Sequence, residues 1–332
     1  MLFVVIFFLL ALLSIRGVIK SPGLIEFESS QILRGMLVLL VLFHHLPPLE
    51  NPIAHFVQSY SGRYAVALFF FLSGYGLMLQ CQNKRDAFFS TFFKRRYTKL
   101  LLPYILFYIV YIILKGEYSL SLCVKNFMTG ENVVPFAYFV EELVILYLLF
   151  YFIFKKVDAF RGVIYLFIAT FFLMGVLYCT AWKEHWWVSS LGFPMGALVC
   201  FYRDKLCRIN LVSCSLLILS CVALVLARYS DILAIRVACF SFITCPAVCL
   251  AVSMLLPMVK WTACKCSILL YIGSISYELY LVQGIVLKMN YPWNEEWYSV
   301  FFVCLAVAFA SLAHYFITRI GTRLEKALNR IS

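Results

Sequence analysis

The chain has 332 residues, of which 64% are hydrophobic and only 13% charged, with a mean hydropathy of +0.93. Soluble domains carry about 25% charged residues, so this composition excludes a soluble globular protein and leaves no stretch polar enough for a separate soluble domain. The net charge of +12 raises nucleic acid as a partner, but in a membrane protein basic residues first report orientation.

Apolar runs fall at 2–19, 31–49, 64–81, 100–114, 136–154, 162–180, 188–202, 210–227, 232–258, 267–287 and 298–318. They predict an all-α, polytopic transmembrane helix bundle of about ten core helices plus an extra N-terminal helix. Runs near 15 residues must recruit their flanks or sit in thinner surroundings. The division follows: 1–30 is an N-terminal apolar segment and inner linker, 31–320 the membrane domain, and 321–332 a basic cytoplasmic tail. No basic residue precedes Leu2–Ile15, unlike a secretory signal, so this run reads as a short extra span or an interfacial helix.

The run at 31–49 carries Arg34 and His45. At 100° per residue their eleven-residue spacing falls within about 20° of three full turns, and the rise is roughly 16 Å. A cation at one end of the helix thus shares a face with an imidazole deep within it. Ionisable groups at that depth are costly and mark function. Histidine suits general-base work; the plainer reading is a structural histidine bonded to a neighbouring helix. His44 points some 100° away and is the weaker candidate.

The next run opens with Gly62-Arg63-Tyr64-Ala65 and closes with Phe70-Phe71-Leu72-Ser73-Gly74, small residues that permit close helix packing or a kink. Lys94-Arg95-Arg96-Tyr97-Thr98-Lys99 then precedes Pro103. This cluster anchors topology, and its guanidinium groups also suit phosphate oxygens. With this cluster placed inside, alternation leaves Arg63, Lys115, Lys125, Lys183, Arg228 and Lys288 on the outer side and Arg236 within a span; the rest of the 28 basic residues are inside. That bias puts the C-terminus in the cytoplasm and accounts for the net charge with no nucleic-acid partner.

Segment 115–135 reads as the longest outer loop. Glu141 and Glu142 follow in the outer third of their span, at a depth His45 reaches from the other direction. One of them could orient His45 and stabilise its imidazolium; otherwise they form a wet interfacial pair. Trp182, Trp186, Trp187, Trp293 and Trp297 read as an interfacial belt or as a platform for a sugar. A late span carries Gly273-Ser274-Ile275-Ser276-Tyr277-Glu278 through Gln283, whose polar groups need partners inside the bundle. His314 reads as a satisfied structural histidine. Most of the thirteen cysteines lie in apolar runs or inner loops and behave as small hydrophobes. Cys123 alone falls in an outer loop, so no disulfide framework is expected. Cys264 and Cys266 lack further ligands nearby, so no metal is expected.

Taken in order, these segments resemble the acyltransferase family 3 of integral membrane acyltransferases. The resemblance rests on Arg34 and His45, on Phe70-Phe71-Leu72-Ser73-Gly74, on Arg96 to Lys99 ahead of Pro103, and on Ser276-Tyr277 to Gln283, covering about residues 30–320. Departures are Lys99 in place of a second Arg, which keeps charge but loses the fork, Ala65 where Gly is frequent, and Gln283 where many members carry His. The resemblance implies an O-acyltransferase, in the multi-pass bacterial cytoplasmic membrane, that uses cytoplasmic acetyl-CoA or another acyl-CoA as acyl donor substrate. The acceptor would be a carbohydrate or lipid-linked glycan such as O-antigen, capsule or exopolysaccharide. Arg95, Arg96, Lys99 and Arg34 would then hold the CoA phosphates, and His45 would deprotonate the acceptor hydroxyl. Tyr277 or Ser73 could supply the oxyanion donor; direct transfer and an acyl-enzyme on His45 both stay open. The competing class is a transporter or flippase of a glycan or small molecule, which shares intramembrane ionisable groups. A glycan polymerase or ligase would carry larger outer loops.

Overall fold

The computed structural model describes residues 15–18, 27–116, 133–180, 182–203, 215–216, 218–220, 222–223, 233–255, 264–289 and 295–331. Cys123, Trp293, most of the run 2–19, most of the run 210–227 and loop residues 117–132 lie outside them.

The architecture is helical. Strand β1 (Ile15–Val18) pairs antiparallel with β2 (Cys264–Cys266), Ile15 opposite Cys266 and Val18 opposite Cys264. The strand that carries Cys264 and Cys266 is thus tied to the N-terminal segment. The helices follow as α1 (Phe27–His44), α2 (Pro52–Asn83), α3 (Arg85–Phe92), α4 (Thr98–Lys115), α5 (Tyr138–Lys156), α6 (Ala159–Cys179) and α7 (Gly192–Phe201). Then come α8 (Leu233–Ala238), α9 (Cys245–Leu255), α10 (Ser267–Ser274), α11 (Ser276–Leu287) and α12 (Glu295–Ile331). Wide π-helical turns join α3 to α4 at Phe93–Tyr97 and α8 to α9 at Cys239–Thr244. Helix α12 runs on through the segment expected as a tail.

Five described stretches are long and apolar enough to cross a membrane: Ala54–Asn83, Arg85–Lys115, Ala159–Cys179, Ile235–Ser253 and Trp297–Arg323. The pair α10–α11, bent by 74°, makes a sixth if it counts as one span. Among the described residues, therefore, the expected count of ten is not reached. The run 188–202 folds as α7, only ten residues long. Helices α1 and α5 form where expected, but α1 carries Glu28 and Arg34, and α5 carries Glu141, Glu142, Lys155 and Lys156. The exterior is apolar: Ile109 and Ile113 of α4, Phe172 of α6 and Phe316 of α12 are all exposed, as lipid-facing positions are in a bundle.

Glycines set the inner crossings. A Cβ on Gly74 of α2 would strike the Phe193 carbonyl, and Cβ atoms on Gly192 and Gly196 of α7 would strike the carbonyls of Ala67 and Phe71. Gly35 of α1 and Gly273 of α10 meet the facing backbone in the same way, at Leu269 and Gln31. Within lipid, helix association rests on such close van der Waals contact rather than on exclusion of water. The bend at Ile275 has a local cause: Ser274 and Ser276 donate back to the carbonyls of Tyr271 and Gly273 at 2.7 and 2.8 Å, which loosens the helix at a Gly-Ser pair.

The turn between α1 and α2 is held from inside. Asn51 accepts the Ala54 N–H at 3.1 Å, and Pro52 starts α2, where a missing N–H costs nothing. One turn further along, the buried Gln58 amide donates to the carbonyls of Phe43, Leu46 and Pro47 at 3.0–3.1 Å and accepts the Leu49 N–H at 3.1 Å. Phe43 lies in the last turn of α1, where carbonyls lack a helical partner, and Leu46 and Pro47 lie in the turn just beyond it. Gln58 therefore caps α1 and fixes the residues around His45.

Candidate functional site: two chambers with a common wall

Arg34, Val41 and His45 follow one face of α1 and its terminal turn. Helix α1 ends at His44, and the chain tightens there, with the His45 N–H donating to the Leu42 carbonyl at 3.1 Å. The tightening leaves both ends of the face on cavity walls. Arg34 lines a cavity of about 230 Å³ with Ser73, Arg96, Lys99, Tyr147 and Tyr277. Val41 and His45 line a second, of about 340 Å³, with Arg63, Glu184 and His185. Tyr280 of α11 lines both. We call these the cationic and the histidine chambers.

The cationic chamber collects Arg34, Arg96 and Lys99, three of the four residues expected to hold phosphates. The fourth, Arg95, is exposed and lines an adjoining groove of about 70 Å³ with Lys84, Gln80 and Arg96. The Arg96 guanidinium donates to Gln80. Tyr277 lines the chamber, but its hydroxyl donates to the Leu100 carbonyl at 2.7 Å. Pro103 has no N–H for the carbonyl of Lys99, so the backbone of α4 is loosened at this turn. The Tyr277 hydroxyl is engaged with backbone, whereas Ser73 also lines the chamber.

The histidine chamber is built from the turn after α1, the start of α2, the segment before α5 and the 3₁₀ turn Glu184–Trp186. The His45 ring lies on the Phe136 ring, centroids 3.9 Å apart at 34°, and edge-on to His44 at 4.9 Å. His44 is committed, its Nδ1 lying 2.9 Å from the Gln58 carbonyl. Arg63 and Glu184 form an ion pair across the chamber, and the second carboxylate oxygen of Glu184 is buried with no hydrogen-bond partner among the described residues. His185 packs on Tyr138 at 4.7 Å. Burial lowers the His185 pKa, helped by the Lys183 charge and opposed by Glu184.

The expected carboxylates reach neither chamber wall. Glu141 accepts from the Tyr104 hydroxyl, and Glu142, fully buried, accepts from Ser190. Among the described residues, no hydrogen bond joins either one to His45. His314 Nδ1 lies 2.9 Å from Glu278, the satisfied arrangement expected of it. Trp186 and Trp187 are buried rather than interfacial, and Trp186 packs near Tyr138 of the histidine chamber. Gln58, Phe136, Glu184 and His185 carry no motif signal of their own, whereas Tyr280 falls within the Ser276-Tyr277 to Gln283 motif and Arg63 within the segment that opens at Gly62. The clue within reach was Arg63, a basic residue on the sparsely charged outer side.

The described residues thus form a helical bundle of the multi-pass membrane class, with a basic chamber and a histidine chamber that share one wall. The family is given by comparison: residues 27–317 match the acyltransferase domain of acyltransferase family 3, and the chain belongs to that family. It is a membrane acyltransferase. No curated protein and no solved structure matches it.

Proposed function

We propose that the protein transfers an acetyl group from cytoplasmic acetyl-CoA to a hydroxyl of a surface or lipid-linked carbohydrate, with His45 as general base. The observation that carries this reading is that Arg34 and His45, on one helix, line two chambers whose common wall is Tyr280. Arg34, Arg96 and Lys99 suit CoA phosphates through charge-assisted hydrogen bonds, and Arg95 and Lys84 extend the same basic surface. The thioester then points toward the Tyr280 wall. The acceptor enters the histidine chamber, where Arg63 and the second Glu184 oxygen offer a donor and an acceptor to sugar hydroxyls and the neighbouring rings offer flat apolar faces.

In the reaction, His45 takes the proton of the acceptor hydroxyl as its oxygen attacks the thioester carbonyl carbon. The new C–O bond forms, the C–S bond breaks, and the proton passes to the CoA sulfur. With the Tyr277 hydroxyl engaged, Ser73 is the better candidate to donate to the developing oxyanion. The charge bias supports an orientation with the C-terminus inside; the apolar runs suggest about ten spans, and the family resemblance suggests a bacterial cytoplasmic membrane.

The test uses membranes supplied with labelled acetyl-CoA. His45→Ala abolishes label transfer to the glycan fraction while protein level and insertion stay normal. Full transfer by that variant overturns the base assignment. Movement of a glycan without consumption of acetyl-CoA overturns the reaction in favour of a transporter.

A further inference from the structure

Among the described residues, Phe136 is the non-glycine residue with a positive φ, 66°. A bulky side chain in the left-handed region is an outlier that persists only where its surroundings over-determine it. Those surroundings are specific. Tyr280 of α11 donates its hydroxyl to the Phe136 carbonyl. One turn on, Gly284 presses so closely on Pro135 that a Cβ there would come within 2.9 Å of the proline ring. The Ala137 N–H closes the turn onto the Val134 carbonyl at 3.2 Å. What this forced turn delivers is the Phe136 ring, 3.9 Å from the His45 ring. Among the described residues, the His45 side chain makes ring contacts and no hydrogen bond.

We propose that Phe136 is a positioning residue that sets the plane of the His45 imidazole by ring contact, with Tyr280 holding the Phe136 backbone in place. This rests on His45 being the base. A base oriented by a carboxylate gives one ring nitrogen to that partner. A base oriented by ring faces keeps both nitrogens for substrate and for the proton's onward transfer. Because Tyr280 also lines the cationic chamber, a ligand there touches the residue that holds the base's support.

The experiment compares variants of the full chain in membranes with labelled acetyl-CoA, measuring maximal transfer and the acetyl-CoA concentration at half-maximum. Misplacing a reacting group by about 1 Å can cost roughly a hundredfold. Phe136→Leu is therefore expected to lower maximal transfer by roughly tenfold to a hundredfold, with the half-maximal acetyl-CoA concentration unchanged. Phe136→Tyr, which keeps the ring, restores transfer. Phe136→Gly relieves the backbone, so it decides the matter if Phe136→Leu fails to accumulate; it is expected to be as slow as Phe136→Leu. Tyr280→Phe, which removes only the hydroxyl, lowers maximal transfer in the same sense. Wild-type transfer by Phe136→Gly beside an inactive His45→Ala overturns this proposal alone. Transfer by His45→Ala overturns the base assignment and this proposal with it.

Discussion

His185 shares a chamber with His45 but is governed by its neighbours in a way that can be measured. Burial and the Lys183 charge lower its pKa in the folded protein, whereas an unfolded imidazole binds its proton near pH 6.5. Below about that pH the unfolded chain takes up the proton more readily, so stability is complete above it and declines as the pH falls. Detergent-solubilised His185→Gln should therefore lose less melting temperature between pH 7.5 and 5.5 than the wild type. Partial exposure to solvent holds the difference to roughly 1–2 °C; an equal or larger loss in the variant contradicts the assignment. At this scale the sequence is partly legible. The helical period put Arg34 and His45 on one face, and both line chambers. It could not reveal that Glu141 turns to Tyr104 and Glu142 to Ser190, because depth in a span says nothing of which neighbour a side chain faces. Gln58 was hidden for another reason: it lies ahead of the apolar run, in residues that hydropathy alone reads as a loop.

Helices α2 and α7 show why element boundaries were harder to read than element existence. The apolar run 64–81 locates α2, but Asn51 and Pro52 start it a full three turns earlier. The run 188–202 is as apolar as a span, yet Gly192, Pro194 and Gly196 make it a ten-residue helix seated on the α2 backbone. Periodicity does not distinguish a helix buried in protein from one bathed in lipid. Gly196→Val would drive its Cβ into the Phe71 carbonyl and the Tyr75 amide. Backbone on both sides leaves little room for relief, and overpacking of this kind costs about 1–3 kcal/mol. The variant should melt lower by several degrees or fail to accumulate, while Gly175→Val, with open space around the position, should match the wild type. Equal melting of the two variants would refute the crossing.

At the scale of the whole molecule, the charge census and the chambers agree although they were obtained independently. Arg34, Arg96 and Lys99, all assigned to the inner side, gather round one cavity; Arg63, assigned to the outer side, and Glu184 and His185, next to outer Lys183, line the other. Single cysteines replacing Lys99 and Lys183 test the orientation. In intact cells a membrane-impermeant thiol reagent should label Lys183→Cys and spare Lys99→Cys until the membrane is opened; the reverse pattern inverts the topology. The native cysteines make a background control necessary. The short helix α7 has a consequence for where it can settle. At about 1.5 Å per residue, ten residues cover only about half of a bilayer core, and nearly all of α7 is buried in protein. A helix this short and this enclosed finds its partner in protein rather than in lipid: the surface of α2, which precedes it in the chain, is what α7 seats on.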